Sequence, residues 1–168
     1  MTQRGFSLIE LIVVIAIIAT LLAIATLQFN QYTTKSTIEK EVRAMYADLM
    51  KARSEALMQK VNRSVVFTAG QYSIFPTTDG SGTAIEIGAL QVPVTFPATF
   101  SFDSRGLACE IGASPTEQGT PWAQGTERLI CVVPSGNPAA IDGILITTTS
   151  IQMGKLNGSC TSANFSAK

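Results

Sequence analysis

Residues 4–25 read RGFSLIELIVVIAIIATLLAIA, and Glu10 is the one charged side chain between Phe6 and Ala25. A carboxylate in a membrane helix costs about 2.5–3.5 kcal/mol on insertion scales, so its presence needs a reason. Leu11–Leu27 is uncharged, with only Thr20 and Thr26 polar. With Phe6–Ile9 ahead of it, the stretch is long enough to cross a hydrocarbon core. Arg4 precedes it, which sets the N-terminus on the cytoplasmic side. A secretory signal peptide is one reading, with Ala23-Ile24-Ala25 as its cleavage site, but the run is longer than an ordinary signal core. A plain membrane anchor accommodates the length. Neither gives Glu10 a purpose.

Downstream, Gln28–Thr34 (QFNQYTT) is polar and reads as a weakened stretch of one long helix. Ile38, Val42, Met45, Leu49, Ala52 and Ala56 then recur at spacings of three and four, an apolar stripe that Leu57 and Val61 extend. Glu39, Lys40, Arg43, Lys51 and Glu55 occupy the other face. No proline occurs before Pro76, so one continuous helix is permitted.

Near Asn62 the composition shifts to Val, Ile, Phe, Thr and Gly, and all 7 prolines follow. Strands are expected at 64–68, 71–75, 83–87, 99–103, 108–111, 128–133, 144–149 and 151–153, separated by turn signals such as Thr78–Gly82 and Ser135–Pro138. Glu117–Gly125 reads as a loop, with Trp122 as a core plug. The predicted fold class is α+β: a long N-terminal helix, membrane-spanning in its first half and amphipathic in its second, packed on an antiparallel β-sheet head. The expected organisation is a leader at 1–5, a helix at 6–62 with 6–29 in the membrane, and a head at 63–168.

The 12 basic and 12 acidic residues cancel. Locally they do not: residues 35–63 hold seven basic against four acidic, and 64–168 four against seven. A solvated helix face beside a mildly acidic head is the simpler reading, and charge complementarity between subunits the sharper one. There is no histidine and there are 3 cysteines, which exclude Ser-His-Asp and Cys-His sites and a Cys/His or four-cysteine zinc site. Gly80-Ser81-Gly82 lacks the strand–loop–helix setting of a phosphate loop. Asp79, Glu86, Asp103 and Asp142 read as acids in turns, bonded to their own backbone. No enzymatic activity, metal, cofactor or small-molecule substrate is expected.

The stretch Arg4-Gly5-Phe6-Ser7-Leu8-Ile9-Glu10 resembles the cleavage motif of type IV prepilins and type II secretion pseudopilins: a short basic leader ending in glycine, then phenylalanine, then glutamate at the fifth mature position, then a long apolar run. The resemblance implies that a prepilin peptidase cuts between Gly5 and Phe6 and that Phe6 becomes an N-methylated terminus. It also gives Glu10 a purpose, as an assembly residue whose carboxylate meets the terminal amine of a neighbour in a filament. Each charge is costly alone in hydrocarbon, and pairing removes much of that cost.

Further patches resemble the minor pilins and pseudopilins of the FimT/FimU/GspH type. These are Ala52-Arg53-Ser54-Glu55-Ala56, Phe102-Asp103-Ser104-Arg105-Gly106, and Ile130-Cys131-Val132-Val133 with Ile144-Leu145-Ile146-Thr147. A plain reading of the first has Ala and Ser permitting close packing, with Arg53 and Glu55 solvated. The branch implies a minor pilin that primes or joins a type IV pilus, with an H-type minor pseudopilin of type II secretion as the alternative. Its partners would be other pilins, the peptidase and the inner membrane, and its location the membrane first and a periplasmic or surface filament later. A third job, DNA binding in competence, rests in this branch on a C-terminal G-R-x-R-like motif. The matching place here is Gly154-Lys155-Leu156-Asn157, too poor in cations for phosphate contacts.

Cys131 lies in an apolar strand and Cys160 in a polar tail with little to hold it. A Cys131–Cys160 disulfide is expected on that ground and by resemblance to the U-type minor pilins, leaving Cys109 as a buried thiol. Cys109 facing Cys131 across a hairpin is the rival.

Overall fold

The computed structural model describes residues 7–96, 99–112, 114 and 117–168, apart from the side chains of 24–28. Helix α1 runs unbroken from Leu8 to Gln59. The polar middle does not interrupt it, because its hydroxyls bond back to the preceding turn. Thr33 Oγ1 reaches the Phe29 carbonyl at 3.1 Å, and Thr34 Oγ1 the Asn30 carbonyl at 2.9 Å. The helix stops when Lys60 adopts φ 57°, ψ 37°, a left-handed cap without the usual glycine. That is earlier than the expected end at Asn62, because no glycine marks the stop.

Among the described residues ten strands follow: β1 (Arg63–Thr68), β2 (Gln71–Phe75), β3 (Glu86–Ala89), β4 (Val94–Thr95), β5 (Phe100–Phe102), β6 (Ala108–Glu110), β7 (Glu127–Val132), β8 (Gly143–Thr147), β9 (Ile151–Leu156) and β10 (Phe165–Ala167). They form two antiparallel sheets, β3-β2-β1-β5-β6 and β10-β9-β8-β7-β4. The fold is therefore α+β, a long N-terminal helix on an antiparallel β head, with two sheets where the sequence suggested one. Both sheets lie against the same helix: α1 contacts β1 and β5 of the first and β8 and β9 of the second. The sheets meet where the Ala108 amide donates to the Thr148 carbonyl at 2.9 Å.

The expected helical stripe is the centre of this packing. Ile38, Val42, Met45, Leu49, Ala52 and Ala56 are all buried. Leu57 and Val61 are not, with exposures of 38% and 37%: Leu57 is on the last turn and Val61 beyond it. An aromatic cluster fills the first sheet's inner face. Phe67 stacks on Phe96 at 5.1 Å, and Phe100 meets Phe102 edge-on at 5.4 Å and Trp122 at 5.7 Å. Trp122 is buried, so it is a plug held by a loop, and Arg128 lies over its ring.

Candidate assembly site

The two halves of α1 serve different surfaces. From Ile38 onward the helix is latched to the head by polar contacts as well as by its apolar stripe. Glu39 accepts from the Ala140 amide at 2.8 Å, and Glu41 from the amides of Gln91 and Val92 at 2.9 and 3.2 Å. Asp48 accepts from the Tyr72 hydroxyl. Lys51 pairs with Glu86 at 2.7 Å, and that carboxylate raises the lysine's pKa. Arg53 donates to the carbonyls of Gly106 and Thr149. Glu55 pairs with the buried Arg63 at 3.3 Å. These contacts correct the picture of a solvated helix face for Glu39, Lys51, Arg53 and Glu55, while Lys40 and Arg43 of the same face stay exposed. A periodic apolar stripe shows which side of a helix is buried, but not that flanking charges will reach loop amides.

The described side chains of the first half, from Leu8 to Ala23, are all exposed. Its described apolar side chains are bare: Leu8 is 75% exposed, Ile9 66% and Leu21 62%. Such an apolar surface is far larger than a soluble monomer ordinarily leaves open. Among the described residues, no helix is long and apolar enough to cross a membrane.

Glu10 is the charged exception on that surface. It stands in the first helical turn, after an N-cap Ser7 whose hydroxyl makes no capping bond. Unpaired helical N–H groups and the macrodipole favour a carboxylate there by about 0.3–1 kcal/mol. Among the described residues nothing pairs with it. The expected cleavage and methylation positions, Gly5 and Phe6, lie outside the described residues.

The remaining acids go to separate places. Asp79 accepts from the amide and hydroxyl of Ser81, and those bonds lower its pKa. Asp103 accepts from the amides of Arg105 and Leu107, both at 2.9 Å. These two close their own turns, as expected. Glu86 instead pairs with Lys51, and Asp142 is fully buried against Lys155 at 2.6 Å. Lys155, the one cation at the DNA-motif position, is thereby turned inward. No cluster of three or more potential metal ligands occurs among the described residues.

Cys131 and Cys160 form a disulfide with Cα atoms 6.0 Å apart. Cys109 is a buried free thiol whose pKa rises to about 11, chiefly through burial and secondarily through the Asp103 carboxylate.

Residues 1–26 match the family model of the prokaryotic N-terminal methylation motif. Two proteins of Pseudomonas aeruginosa, each described as a fimbrial protein, are 29% and 28% identical to this chain over 147 residues, which is 88% of the chain and 79% of each relative. No solved structure matches the chain significantly.

Proposed function

We propose, from the premise that the chain is type IV pilin-like, that it is a minor pilin joining or priming a pilus by helix packing. The observation that carries this reading is the bare apolar half of α1 with Glu10 alone in its first turn. Held in the membrane as a precursor, that surface is covered by lipid; in a filament, the same surface is covered by the helices of other pilins. Glu10 then pairs with a neighbour's Phe6 amine, released when the peptidase cuts after Gly5. The methylation motif supports the processing step, and the fimbrial relatives support a pilus over a secretion filament. The Cys131–Cys160 disulfide adds to the same side, through the U-type resemblance. The inward-turned Lys155 speaks against DNA binding.

The test has two arms. Mass spectrometry of membrane-extracted protein should find N-methyl-Phe6 first; a chain starting at Thr26 would instead be a cleaved signal-peptide product. Glu10→Ala should insert and be processed normally but enter sheared filaments poorly, and Glu10→Lys more poorly still, because it sets like charges together. Equal incorporation of Glu10→Ala and wild type would refute the pairing.

A further inference from the structure

The loop between β7 and β8 brings an amine, a carboxamide and a carboxylate together. Asp142 is wholly buried, and its Oδ2 accepts from Lys155 Nζ at 2.6 Å and from Asn137 Nδ2 at 3.1 Å. Lys155 Nζ is also 3.5 Å from Asn137 Oδ1 and 3.0 Å from the Asn137 backbone carbonyl. The Ala139 amide donates to Asn137 Oδ1 at 3.1 Å, and Asn137 Nδ2 also reaches the Pro134 carbonyl at 3.2 Å. Asp142 Oδ1 is occupied by the Leu156 amide at 2.7 Å. An ion pair needs only Lys155 and Asp142. The carboxamide docked on the same carboxylate oxygen, with its carbonyl beside the amine, is additional.

The geometry points to a self-formed isopeptide bond between Lys155 and Asn137, with Asp142 as the catalytic proton carrier. Asp142 is fully buried and the Lys155 side chain one-fifth exposed; in the proposed reaction, passage of a proton from Nζ to the Asp142 oxygen it already touches is the step that frees the Nζ lone pair. The Nζ lone pair attacks Asn137 Cγ, and the Ala139 N–H stabilises the charge that develops on Oδ1. Asp142 protonates Nδ2 and takes a proton from Nζ; the Cγ–Nδ2 bond breaks as the Cγ–Nζ amide forms. Ammonia departs, carrying the last proton as ammonium, and Asp142 ends as a carboxylate. The reaction needs no oxidant or other reagent; fixed proximity lowers its barrier, and loss of ammonium to solvent draws it forward. The product ties β9 to the β7–β8 loop.

Tryptic mapping of the reduced, alkylated full-length protein tests this. Residues 130–154 contain no lysine or arginine, so cleavage after Arg128 and Lys155 frees 129–155 and 156–168. An acylated Lys155 resists trypsin, so the expected product is one peptide spanning 129–168, lighter than its sequence mass by one ammonia, with fragment ions joining Asn137 to Lys155. Two separate peptides at their sequence masses would overturn the proposal, and this reading does not depend on any variant folding. Asp142→Asn and Lys155→Arg should both restore the full mass and the cleavage; a cross-link persisting in Asp142→Asn would overturn the role given to Asp142.

Discussion

Arg53 in α1 donates from Nε to the Gly106 carbonyl at 2.9 Å, and its Nη2 reaches the Thr149 carbonyl at 2.5 Å. Gly106 lies in the β5–β6 turn and Thr149 in the β8–β9 turn, so one planar cation joins the helix to both sheets. The turn carbonyl is in reach because Gly106 sits at φ 72° above Leu57, where an added Cβ would come within 2.7 Å of Leu57 Cγ. A lysine offers a point charge without that two-pronged geometry. Charge-assisted hydrogen bonds contribute about 1.5–3 kcal/mol each, so Arg53→Ala should destabilise the head by about 2–4 kcal/mol and Arg53→Lys by roughly half of that. Urea unfolding followed by tryptophan fluorescence measures both. A lysine variant as stable as wild type would reduce the contact to a surface ornament.

The clamp marks how far sequence reading reaches. The stripe from Ile38 to Ala56 was legible because burial imposes a strict period on a helix. The turn at Asp103–Gly106 was legible because aspartate and glycine have local conformational preferences. The strand expected at 83–87 is instead Glu86–Ala89, and β4 and β10 were not anticipated at all. These are edge strands of two to four residues, too short to show alternation, and β4 pairs with a strand nearly forty residues away, Val94 opposite Val132. Asp142 read as a turn acid because its partner Lys155 lies 13 residues away on another strand. The partition into two sheets was equally hidden, since alternation shows the faces of a strand but not which strand lies beside it.

At high pH two buried groups should act in sequence. Burial pushes the Cys109 thiol up to about 11, against about 8.5 in an unfolded chain. The native state thus holds a proton that the unfolded state releases. The stability this represents is complete below about pH 8.5 and is lost as pH rises toward 11, at no more than about 1.4 kcal/mol per pH unit. Burial, reinforced by the hydrogen bond to Asp48, raises the Tyr72 phenol as well, adding a second loss that begins near pH 10. Urea titrations from about pH 7 to 11 should show Cys109→Ala flattening the first part of the decline and Tyr72→Phe the later part. An unchanged alkaline limb in both variants would mean that neither group titrates differently in the folded state.

The C-terminal tail depends on its covalent tie. After β9, residues 157–164 are mostly exposed, and β10 adds only three paired residues, Phe165, Ser166 and Ala167, to the β9 edge. Asn164 braces the intervening turn through Ser159, but no apolar side chain anchors it in the core. Cys160 is exposed while its partner Cys131 is buried in β7, which β8 and β9 separate from β10, so the bond spans those two strands and fastens the tail across the sheet. Closing a loop of 29 residues is worth about 3–4 kcal/mol on the chain-entropy model. Cys160→Ser should therefore lower the head's stability by about 3 kcal/mol and open the tail to protease, exposing the edge of β9. Cys109→Ser should leave the tail protected, since that thiol packs in β6 and donates to the Leu107 carbonyl at 3.4 Å, apart from the tail. Limited proteolysis beside urea unfolding separates the two variants. A Cys160→Ser tail as resistant as wild type would show that the short β9–β10 pairing holds it unaided.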